Sequence, residues 1–107
     1  MKNIAKIALS AVILLSIGSA TANADVKKGQ VLYMKKLKKV CGMTGAEMAE
    51  KHSIAEWESI YTKGKLAEEI QSFCPNVKES SLKEKYMQHY YDFLKEYGND
   101  SGNIPAC

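Results

Sequence analysis

The most constraining feature of this sequence lies at its start. Lys2 and Lys6 precede an almost unbroken apolar run from Ile7 to Ile17, interrupted at Ser10 and Ser16. A small-residue stretch follows and closes on Ala22-Asn23-Ala24, the three-part pattern of a cleavable export signal. The run is too short to span a bilayer comfortably, and no second one exists, so no membrane span is expected after cleavage. Taking residues 1–24 as the signal, 83 of the 107 residues remain as an exported domain, residues 25–107. A domain of that size is expected to be single, with a small core that gains much from a covalent staple. It leaves little room for an enclosed catalytic site.

Charge narrows the reading further. The full chain has 15 lysines, no arginine and 12 acids, but two lysines belong to the signal, leaving a surplus of +1. That removes the main electrostatic argument for nucleic-acid binding. The remaining charge is unevenly spread: residues 25–41 carry +5 and residues 42–107 carry −4. Lys35, Lys36, Lys38 and Lys39 form the densest cationic stretch and are read as candidate partner-binding residues for an acidic protein. The plainer alternative is a solvated helix face.

Helical signals dominate, with no period-2 alternation to suggest strands. A first helix is expected from about Val26 to Val40, with Gly29, Tyr33, Leu37 and Val40 on one face and Gly42 closing it. Thr44-Gly-Ala-Glu47 and Ser53-Ile-Ala-Glu56 each have capping-box spacing. They open a short helix to about Lys51 and a second one carrying Trp57, Ile60 and Tyr61, which stops at Lys63-Gly64. A further helix spans about Lys65 to Phe73 and ends at Cys74-Pro75. Ser81-Leu-Lys-Glu84 starts the last helix, with Leu82, Tyr86, His89, Tyr90, Phe93, Leu94 and Tyr97 on its apolar side and Gly98 at its end. The sequence therefore predicts an all-α domain of four or five helices with a flexible C-terminal tail, loose unless Cys107 pins it. Three cysteines, Cys41, Cys74 and Cys107, leave one disulfide and one spare thiol in an oxidising compartment, and three pairings stay open.

From Lys28 the chain reads Gly29-x-x-Leu32-Tyr33-x-x-x-Leu37-x-x-Val40-Cys41-Gly42-x-x-Gly45. This resembles the opening of a class I c-type cytochrome, in which a glycine and an aromatic on the first helix precede the C-x-x-C-H-G haem-attachment motif. The resemblance implies a cytochrome c-like bundle and packing of the last helix across the first. It also shows what is missing: Leu37 and Val40 stand where the two thioether cysteines belong, and Cys41 stands in place of the proximal histidine. Covalent haem needs two thiols and an adjacent imidazole, so none is expected, and no cofactor is assigned. Cys74-Pro75 occupies the broad region of the family's Met-Pro ligand, so the resemblance implies a disulfide between Cys41 and Cys74 across the space a porphyrin would fill.

No nucleophile motif, phosphate loop or C-x-x-C redox pair suggests an enzyme. The resemblance implies a periplasmic binding or accessory protein of electron transfer, without haem, whose partner is an acidic redox or membrane-complex protein. Two alternatives stand beside it. One is an electron carrier holding non-covalent haem or copper through His52, His89, a methionine or Cys41, with Met48 and His52 at helical spacing. The other is a disulfide-stapled secreted protein unrelated to cytochromes.

Overall fold

The computed structural model describes residues 26–107, so the expected signal, residues 1–24, lies outside the described residues. The described chain is all-helical. Helix α1 covers residues 26–36 and α2 covers Lys38–Cys41. The two are nearly one helix, because Leu37 N–H donates to the Tyr33 carbonyl at 2.9 Å and Cys41 N–H to the Leu37 carbonyl at 2.8 Å. Next come α3 (Gly45–Ala49), α4 (Ile54–Thr62) and α5 (Leu66–Phe73). A 3₁₀ turn at Glu79–Leu82 then leads into α6 (Glu84–Glu96).

Both capping boxes form. The Thr44 hydroxyl accepts from Glu47 N–H while the Glu47 carboxylate accepts from Thr44 N–H, and Ser53 and Glu56 repeat the arrangement. These reciprocal bonds satisfy backbone donors that a helix start otherwise leaves unpaired. They fix the starts of α3 and α4 within ten residues of each other. At the end of α2, Gly42 takes φ 66°, the left-handed conformation that suits a helix terminus with no Cβ.

The last helix begins later than its Ser81-x-x-Glu84 signal predicts. Lys83 is the residue before α6 and gives no side-chain cap, whereas Ser81 belongs to the 3₁₀ turn. The cause is tertiary: the Tyr90 hydroxyl donates to the Ser81 carbonyl at 2.8 Å and Leu82 packs against the core, holding that turn out of the helix. Val40 is also displaced from its expected buried face and is 38% exposed. The turn relaxes at Leu37 (φ −116°), and beyond it Cys41, bonded to Cys74, is the residue drawn inward.

Helix α6 is the hub, contacting α3, α4, α5 and the 3₁₀ turn. Its inner side supplies Met87, Tyr90, Phe93 and Leu94 to a core completed by Tyr33, Leu37, Met48, Trp57, Leu66 and Ile70. Trp57 is fully buried and its indole N–H donates to the Ala49 carbonyl at 2.9 Å, satisfying its polar atom while tying α4 to α3. Helix α1 crosses α6 at Gly29, where a side chain would overlap the His89 carbonyl oxygen and approach Phe93 Cβ to 2.8 Å. One turn on, Tyr33 packs against Phe93 with ring centroids 5.8 Å apart. The tail carries no regular structure, but Pro105 and Cys107 are buried and Ala46 N–H donates to the Cys107 oxygen. Burial of the free Cys107, rather than a disulfide, is what holds the end of the chain.

Two outcomes follow from this packing. Gly29→Ala inserts a methyl group against backbone that cannot move aside, so it should cost at least about 1–3 kcal/mol, the usual range for overpacking. Urea unfolding with an unchanged m-value reads this directly, with Val31→Ala as a surface control. The Glu47 and Glu56 carboxyls are held below their ordinary value of 4.5, first by the backbone N–H and then by the hydroxyl of Thr44 or Ser53. Their pKa values are therefore lower folded than unfolded, so they stabilise the fold above the ordinary carboxylate range and lose that effect as pH falls through it. In Glu47→Gln/Glu56→Gln the unfolding midpoint should fall less steeply on the acid side.

Candidate functional site

Two features of α1 and α2 carry the candidate chemistry: the disulfide on their inner side and the lysines on their outer side. Cys41 at the end of α2 is bonded to Cys74 at the end of α5, with Cα atoms 4.8 Å apart. Cys74 is buried and Cys41 half-buried. The bond therefore runs from the surface end of one helix into the core, and it joins the start of the domain to its middle.

The positions that the cytochrome resemblance singles out are filled as follows. Leu37 is 1% exposed and belongs to the core, Val40 lies outward, and the Cys41 sulfur is spent on Cys74. Leucine and valine form no thioether and a bonded cysteine ligates no iron, so these residues do not fit a covalently held haem. Met48 is fully buried among core side chains. His52 is engaged elsewhere: its Nε2 lies 2.6 Å from Glu69 and its Nδ1 3.7 Å from Glu56, with Trp57 edge-on at 4.7 Å. Met48 thus packs in the core, and His52 shares a hydrogen bond with Glu69 of α5. His89 is half-buried at the α1–α6 crossing, its Nδ1 enclosed without a hydrogen bond. Among the described residues no cluster of three His, Cys, Asp or Glu side chains is arranged to hold a metal ion.

Tyr33, buried on the inner side of α1, reaches the turn after α2. Its hydroxyl donates toward the Met43 and Thr44 carbonyls, at 2.8 and 3.2 Å, fixing the turn that separates α2 from α3. Burial, then nearby Cys107 and Glu47, push its pKa well above the usual phenol value, so it stays a neutral donor. Gly45 completes this corner, since a Cβ there would lie 2.6 Å from Phe93 and 2.7 Å from the Cys107 sulfur.

A partly open cavity of about 350 Å³ lies where α4 and α5 meet the start of α6, lined chiefly by Tyr61, Leu66, Ala67, Leu82, Glu84 and Met87. Thr62 also reaches it, and its hydroxyl donates to the Ser59 carbonyl.

On the outside, Lys35 and Lys39 are exposed and Lys38 is half-exposed. Lys36 departs from this set: its ammonium lies 5.0 Å from the Tyr86 ring centroid, committed to the seam between α1 and α6. Lys27 and Lys28, exposed on α1, extend the cationic face instead. No ion pair among the described residues involves any of these lysines. Two apolar residues also stand in the open here, Val31 at 41% and Met34 at 46% exposure. Their hydrophobicity suggested nothing about a surface; only their spacing away from Gly29, Tyr33 and Leu37 could have shown it.

Compared with family models, curated proteins and solved structures, the chain matches none. No helix among the described residues is long and apolar enough to cross a membrane.

The disulfide yields a direct expectation. It encloses 34 residues counting both ends, for which chain-entropy arithmetic gives about 3–4 kcal/mol. Cys41→Ser/Cys74→Ser should lower stability by an amount of that order in urea unfolding, while Cys107→Ser, which breaks no bond, should cost less.

Proposed function

We propose that this chain is an exported, haem-less protein of the class I cytochrome c type that works in the periplasm by binding. Its partner is an acidic protein of an electron-transfer complex, met through the lysines of α1 and α2. The redox setting comes from the resemblance alone, since fold likeness does not by itself assign activity.

The observation that carries the reading is the exchange of sulfur chemistry at one place. Aliphatic Leu37 is in the core where a thioether cysteine would stand, and Cys41 is bonded to Cys74. Two further features support it. The Gly29 crossing on α6, with Tyr33 against Phe93, is the helix pairing that the resemblance implies. The cationic face, with no acid anywhere in residues 26–41, holds several ammonium groups that form no ion pair among the described residues. Such a surface raises encounter rates with an acidic partner and does so less as salt increases.

An absorption spectrum and metal analysis of protein purified from its native source test the haem-less reading. A featureless visible region without stoichiometric copper or iron is expected, and a Soret band overturns it. For the binding reading, Lys35→Glu/Lys38→Glu/Lys39→Glu should abolish low-salt association with the native envelope fraction. Unaltered association of that variant contradicts the assigned face.

A further inference from the structure

The outer side of α1 and α2 is more than a row of charges. Lys27, Val31, Met34 and Lys38 are spaced 4, 3 and 4, which sets them in one stripe along a helix. Hydrogen bonding continues through the Leu37 turn, so the stripe runs unbroken into α2. Lys28, Lys35 and Lys39 form a second stripe beside it, spaced 7 and 4. The opposite side of the same helix is the one closed against the core through Gly29, Tyr33, Leu37 and Cys41. Val31 and Met34 therefore stand in solvent between lysines at either end and along one flank.

We propose that Val31 and Met34 are the apolar centre of the docking face, and that its occupant is an acidic protein helix or strand carrying apolar residues among its carboxylates. The inference rests on the binding function proposed above and names the chemistry of the partner. Charge complementarity selects an acidic occupant, because residues 26–41 hold six lysines and no acid. The apolar pair then selects a mixed surface over a purely charged one. An apolar centre with a charged rim is the usual anatomy of a protein docking site, and methionine adapts readily to a partner's shape. The lysine stems widen the apolar area at no cost to their charge. A lipid surface fits less well: interfacial helices carry Trp, Phe or Leu on the inserted side, and this stripe offers one valine and one methionine.

The test uses two synthetic helical peptides of equal length and equal negative charge. One presents leucines among its glutamates and the other presents serines at the same places. Binding to the folded, disulfide-bonded protein is followed by amide chemical shifts, with phosphatidylglycerol vesicles as a third probe. Both peptides should shift resonances from Lys27 to Lys39, with the leucine peptide bound about tenfold tighter, a difference that burying one or two aliphatic groups supplies. Val31→Ser/Met34→Ser, which should unfold at the same temperature as the parent because both residues are exposed, should erase that preference and leave the serine peptide's affinity unchanged. Equal affinity for the two peptides overturns the apolar centre while leaving the cationic face intact. No shift with either peptide removes the cationic docking face and this inference together. Tighter binding to the vesicles than to the leucine peptide assigns the stripe to lipid and overturns the proposal.

Discussion

A single covalent bond organises this molecule. Cys41 and Cys74 tie the end of α2 to the end of α5, closing a loop that contains α3, α4 and the whole of α5. A domain of about this size builds only a modest hydrophobic core, so a cross-link that restricts the unfolded chain supplies a large share of its stability. The bond also determines which side of α1 and α2 faces inward. With Cys41 drawn to Cys74 and Gly29 pressed on α6, the inner stripe is fixed at both ends, and the lysines have only the outside left to occupy.

The rest of the fold hangs on α6. Its inner residues meet α1 at Gly29 and Tyr33, α3 at Gly45, and α4 around Trp57. Two glycines permit these approaches by lacking a side chain, and the gaps are filled by aromatic rings whose polar atoms are satisfied by backbone carbonyls. The polar atoms of Tyr33, Trp57 and Tyr90 thus meet backbone partners, which is the condition for burying them without loss. Cys107 fits the same corner, its thiol against Gly45 and its backbone oxygen on the first turn of α3.

Local signals in the sequence were sufficient for much of this. The capping boxes at Thr44 and Ser53, the Gly42 stop and the Pro75 break act over one or two turns, and each marks a helix end to within a residue or two. Signals fail where a distant contact overrides them. Ser81 has the spacing of a helix cap, but Tyr90 holds its carbonyl in a 3₁₀ turn. Val40 has the spacing of a core residue, but the relaxed turn at Leu37 and the bond at Cys41 leave it outside. The disulfide was reachable only through the resemblance, since three cysteines do not choose among three pairings. The candidate face was half legible: six lysines are plain in the sequence, whereas the withdrawal of Lys36 to Tyr86 and the exposure of Val31 and Met34 depend on what covers the helix.

The central claim is that Cys41, which the proposed cytochrome likeness sets in place of a haem-ligating histidine, instead closes the protein on itself through Cys74. Peptide mapping of the unreduced protein, taken from its native compartment and alkylated under denaturing conditions, tests this most directly. The account predicts one peptide pair joined through Cys41 and Cys74, with Cys107 recovered as a free, alkylated thiol. Recovery of Cys107 bridged to either of the others, or of Cys41 carrying a thioether-linked group, contradicts it.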